Sequence, residues 1–98
     1  MGYIDFDVLG SLDDRTIQKI LREIDTLGDL PMALKLAKKD VFSAVLRNMS
    51  KRAALMLIEQ MEYMSPILLR YAQEAQKRII EVIRYLEDTG EISIPEDQ

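Results

Sequence analysis

The run from about Leu68 to Asp88 limits the fold more than any other, because its apolar residues return at helical spacing. Leu69, Ala72, Ala75, Ile79, Ile80, Val82, Ile83 and Leu86, with Gln76 among them, form one broad stripe at 3.6 residues per turn. A stripe of that width can be shared by several neighbouring helices. Strand-like alternation extends no further than Glu91–Ile94. The chain is therefore expected to be all-α: a compact six-helix bundle with a long C-terminal helix.

The remaining helices follow from stripes and end signals. Tyr3–Leu9 reads as a short helix or lead-in segment laid on the core, interrupted at Gly10-Ser11. A second helix starts in Ser11–Asp14, where Ser11 and Asp13 compete as the cap, and runs to about Thr26. Ile17, Ile20, Leu21, Ile24 and Leu27 form its inner face, while Arg15, Lys19, Arg22 and Glu23 face water. Gly28 suits the left-handed residue past a helix end. Asp29 is expected to cap a short third helix with Pro31 in its first turn, turning Met32, Leu36, Leu30 and Ala33 inward. A fourth helix covers Asp40–Arg47. The fifth lies within Asn48–Met64, capped by Ser50 and stopped by Ser65-Pro66. Glu74 and Arg78 are spaced to pair along the last helix, Gly90 ends it, and Glu91–Gln98 reads as a tail. The domain reading is a single helical unit over 1–98, with an entry segment at 1–10, the bundle at 13–90 and a tail at 91–98. If Met1-Gly2 is an added start, the chain is a piece of something larger.

Composition narrows the chemistry. The 98 residues include no histidine and no cysteine, so the commonest general base, the commonest transition-metal ligands and any disulfide are absent. The glycines are isolated, leaving no phosphate-cradling loop. Glu59 and Glu62 share a helix face, but surface glutamates three apart are ordinarily a solvated face. Asp13-Asp14 reads as capping rather than a metal site. No catalytic residue, metal site or cofactor is expected. A formal charge of −4 disfavours nucleic acid as the main partner, although Lys35, Lys38, Lys39, Arg47, Lys51 and Arg52 would converge if helices three to five packed side by side. The longest apolar run, Ala53–Ile58, is far too short to span a membrane, and the N-terminus lacks a secretion-signal layout.

The fifth helix is the unusual one. Ala53, Ala54, Leu57, Met61 and Met64 make its inner stripe, and Arg52, Leu55, Glu59 and Glu62 lie opposite, with Lys51 to one side. Cations at the start and acids toward the end oppose the helix dipole, so local stability does not account for their order. A partner of complementary charge would. Leu55, ringed by both signs of charge, with Ile58 at its boundary, resembles the centre of a modest protein interface.

Several stretches in order resemble the C-terminal domain of the flagellar motor switch protein FliG. They are Leu12–Gln18, Leu21–Asp25, Ala33-Leu34-Lys35, Asn48–Ala54, Glu74–Gln76, Arg84–Glu87 and Gly90–Ile92, and the likeness covers about residues 3–94. The resemblance implies a six-helix terminal bundle at the cytoplasmic face of the inner membrane, in the flagellar basal body. It implies a charged helix that meets a MotA-like cytoplasmic stator loop and transmits torque. Other rotor and switch-complex proteins are implied as partners, with no nucleic acid and no membrane insertion. Residue by residue, the torque-bearing lysine falls on Lys35 and the arginine on Arg52. The family's acidic pair becomes Glu59 and Gln60, its later arginine position holds Leu68, and two usually charged positions hold Leu55 and Ile58. The lead-in, Met-Phe-x-Phe in the family, is Tyr3-Ile4-Asp5-Phe6. Steering between exposed charges reaches only about 8 Å at physiological salt, so a surface changed in this way leans more on apolar contact. The expected partner-binding set is Lys35, Arg52, Leu55, Ile58, Glu59 and Gln60. The alternative is a divergent paralogue that binds another protein through the apolar patch.

Overall fold

The structure, a computed structural model, describes residues 4–24, 28–64 and 66–95. A 3-10 helix, Phe6–Gly10, leads into five α-helices: α1 (Asp14–Ile24), α2 (Leu30–Leu34), α3 (Lys39–Arg47), α4 (Lys51–Tyr63) and α5 (Leu69–Asp88). The chain is all-α, and the six elements match the expected count. The predicted ends Thr26 and Leu27, with Tyr3 and Ser65, lie outside the described residues.

Side-chain and backbone chemistry sets each boundary. The Asp5 carboxylate accepts from the Asp7 N–H and opens the 3-10 helix. Ser11 closes it, its hydroxyl donating to the Val8 carbonyl. The cap of α1 is therefore Asp13, whose carboxylate accepts from the Thr16 N–H at 3.3 Å. Gly28 and Gly90 stand at φ +73° and +82°, where a Cβ would be strained. Asn48, just past α3, donates to the Ala44 carbonyl at 2.8 Å and to Asp14 at 3.1 Å, and accepts from Gln18. Arg47 reaches the same Asp14 oxygen, so one carboxylate joins α1 to the end of α3. Asn48 and Arg47 together hold the Asp14 carboxyl below its ordinary pKa.

α5 is the axis of the bundle. Ala72, Ala75, Ile79, Ile83 and Leu86 are buried along it, and it packs on α2, α1 and the 3-10 helix. α3 closes the core from the 3-10 helix and α1, contributing Val41, Ala44 and Val45. Removing such side chains from water is the main favourable term for a domain of this size.

Several expectations need correction. Leu69 belongs to the stripe by spacing but is 59% exposed, in a first turn of α5 where Arg70 and Tyr71 are exposed as well. Leu36 lies past the end of α2 and is exposed; Leu34 takes the buried position instead. Asp29 occupies the cap position of α2 without capping it. Its carboxylate goes to Arg78, which was expected to pair with Glu74. Lys19 is half-buried and donates to the Glu91 carbonyl, and Ile92 is buried in the core, so residues 91–95 lie along the bundle. The basic residues do not form one open patch: Lys38 pairs with Asp7 and Arg47 with Asp14.

Candidate partner-binding surface

α4 begins as the sequence requires. The Ser50 hydroxyl oxygen accepts from the Ala53 N–H at 3.1 Å, and Met64 ends the helix in an extended conformation ahead of Pro66. Its inner face is shallower than expected. Leu57 alone is buried, while Ala53, Ala54, Met61 and Met64 are half-buried. α4 rests chiefly on α2. Toward α1 it leaves a cleft of about 340 Å³, lined by Leu21, Ile24, Met49, Ala53, Met56 and Gln60 among others.

At about 100° per residue, Arg52, Leu55, Glu59, Glu62 and Tyr63 point away from Leu57. All five are exposed, Leu55 to 57% and Tyr63 to 88%. The first turn contains no acid and the last no base, so the charge order that opposes the dipole stands uncompensated. Among the described residues, Lys51, Arg52, Glu59 and Glu62 make no ion pair or side-chain hydrogen bond within the domain. Lys35 has none either, and it ends α2 with its N–H bonded to the Met32 carbonyl. Ala33 and Leu34 are buried immediately before it, so the Ala-Leu-Lys motif places its lysine at the surface of the helix that carries α4.

The expected site residues do not all share one face. Arg52, Leu55 and Glu59 do. Ile58 sits half-buried on one flank, and Gln60 lies on the other, in the cleft. Met56 and Tyr63 were missed. They complete the ridge Arg52–Met56–Glu59–Tyr63, whose steps of four, three and four residues were visible in the sequence. Leu68 and Leu69 add exposed apolar surface at the start of α5. Arg70, two residues past Leu68, lies 5.2 Å over the ring of Tyr71. No cluster among the described residues is suited to a metal ion, and no described helix is long and apolar enough to cross a membrane.

With this geometry in view, comparison with known proteins is informative. The family model of the FliG C-terminal domain matches residues 2–94. The chain belongs to that family. The flagellar motor switch protein FliG of Thermotoga maritima is 49% identical over 89 residues, covering 91% of this chain and 26% of the relative. That of Borreliella burgdorferi is 46% identical with the same coverage. Among solved structures, residues 116–343 of Helicobacter pylori FliG superpose with a TM-score of 0.87 at 34% identity, over 94% of this chain and 40% of that one. Full-length Aquifex aeolicus FliG gives 0.82 at 36% identity, over 89% and 27% respectively. The chain thus spans about a quarter of the length of the curated relatives it matches. Those relatives are motor switch proteins, not enzymes.

Proposed function

We propose that this domain is a non-enzymatic rotor module of the flagellar switch complex. It works at the cytoplasmic face of the inner membrane, in the basal body, alongside other rotor proteins. The outward face of α4 meets a MotA-like stator loop and carries torque into the bundle. Lys35, Arg52 and Glu59 supply the charges. Leu55 and Ile58 supply apolar contact where the family's pattern has charges, and Gln60 borders the contact on the cleft side. The observation that carries this reading is the outward face of α4, where Arg52 and Glu59, with no ion pair or side-chain hydrogen bond among the described residues, flank the exposed Leu55.

The test is complementation. The domain replaces its counterpart in a relative's motor switch protein, in a paralysed strain, scored by swimming and by tethered-cell speed. Rotation is expected, and Arg52→Glu is expected to abolish it. A stable, assembled but motionless rotor would sink the reading.

A second reading has its own support in the exposed apolar set Leu55, Met56, Tyr63, Leu68 and Leu69. In it, the domain is an adaptor that binds a different protein without stator contact. Salt separates the two. Charge-led binding weakens steeply between low and physiological salt, and apolar binding does not.

A further inference from the structure

The partner-facing helix has one substantial support, and that support is small. α4 packs chiefly on α2, a helix of five residues, little more than one turn and too short to hold itself. α2 is fastened to α5 at both ends. At its start, Arg78 donates from Nε to Asp29 Oδ2 at 2.8 Å and from Nη2 to Asp29 Oδ1 at 2.9 Å, a two-pronged clasp. At its far end, Gln76 Nε2 donates to the Ala33 carbonyl at 2.9 Å, a last-turn carbonyl that also accepts the Leu36 N–H at 3.4 Å. The Asp29 side chain is only 13% exposed, and its carboxylate serves this clasp in place of the helix cap it is placed to provide.

We propose that Arg78 and Gln76 are positioning residues for the partner-facing surface of α4. Among the described residues, neither makes a hydrogen bond or ion pair to α4. They hold α2 against the bundle axis, and α2 in turn holds Leu57 and the ridge above it in place. A cleft lined by Leu21 and Ile24 of α1 and by Leu30 and Pro31 of α2 runs beside α4, so a sideways push on α4 reaches the core chiefly through α2. The clasp converts a helix lying on the bundle into one that drives it. The mechanical part of this proposal rests on the reading of α4 as the load-bearing helix; the structural part does not.

Hydrogen exchange resolved by helix tests the structural part on the 98-residue chain itself. In Arg78→Gln, the amides of α2 and α4 are expected to exchange about tenfold faster while α1 and α3 keep their protection. Faster exchange in α2 with α4 unchanged would show that the clasp serves α2 alone and would overturn the proposal. Uniform acceleration in every helix would overturn it as well. Should Arg78→Gln fail to fold, Arg78→Lys decides by the same readout, since it keeps the charge and loses the second prong. Gln76→Leu is expected to act in the same direction with a smaller change. In the chimeric motor, Arg78→Gln is expected to slow rotation under heavy load while sparing it under light load. Arg52→Glu is the control that separates the two ideas. If it leaves rotation intact, the stator reading fails while the exchange result still stands.

Discussion

α4 and α5 are built on opposite terms. α5 runs for 20 residues and buries five side chains, whereas α4 runs for 13 and buries one. The charges differ less. Arg78 on α5 is tied to Asp29, and Arg47 and Lys38 elsewhere are tied to Asp14 and Asp7. Among the described residues, however, Lys77, Glu87 and Asp88 on α5 make no ion pair or side-chain hydrogen bond. The four charges of α4 make no ion pair or side-chain hydrogen bond among the described residues either. Burial, rather than charge, is what separates the two helices. α5 also carries a cation, Arg70, in its first turn and acids, Glu87 and Asp88, in its last, so charges that oppose the helix dipole do not by themselves set α4 apart.

The contrast can be broken first in the core. Ile79→Ala on α5 is expected to cost about 4 kcal/mol, as a fully buried truncation with neighbours on several sides. Leu57→Ala on α4 is expected to cost about 2 kcal/mol, at the low end for its type, because Leu57 borders an open cleft into which neighbours can relax. Urea unfolding of both variants measures the difference. Equal losses would mean that α4 is as deeply anchored as α5.

Next in size is the cap. With no acid in the first turn of α4, the Ser50 oxygen is the side-chain acceptor on which that helix end depends. Ser50→Ala is expected to cost about 1 kcal/mol in the same unfolding experiment. A loss of a few tenths or less would show that the helix start is held by packing instead.

How much of this was legible in the sequence depends on the range of the interaction. The α5 core, the Ser50 cap and the left-handed glycines were readable because each rests on residues within a turn or two. So was the outward face of α4, which needs only helical spacing. The pairing of Arg78 with Asp29 was not, since the partners are 49 residues apart and a nearer acid, Glu74, satisfied every local rule. The exposure of Leu69 was not, because periodicity reports the face of a helix and not how far its neighbours extend. The burial of Ile92 was missed for want of any period in so short a segment. The cleft beside Gln60 depends on the spacing between α1 and α4, which no local pattern encodes.

A subtler test concerns acid. Asn48 and Arg47 lower the folded pKa of Asp14, so this carboxylate favours the folded state whenever it is ionised in both states. That contribution is complete above the ordinary aspartate value of 3.8 and is lost as pH falls through the lower, folded value. Asp14→Asn is therefore expected to lower stability at neutral pH slightly and to flatten its decline below about pH 4. Acid unfolding curves of the two proteins that stay parallel would show that the Asp14 junction between α1 and α3 is not maintained in solution.

The smallest expected change in stability is the most telling. Arg52→Ala removes an exposed side chain that has no ion pair among the described residues, and is expected to alter stability by no more than about 0.5 kcal/mol. Arg52→Glu goes further, placing an acid in the first turn of α4, where the helix dipole favours it by about 0.3–1 kcal/mol. That variant is expected to be as stable as the parent or slightly more so, and yet to lose rotation in the chimeric motor. Opposite signs for stability and function at one residue are what a charge kept for a partner must give. If Arg52→Glu instead unfolds the domain, Arg52 is a structural residue, and the outward assignment of that face of α4 is wrong.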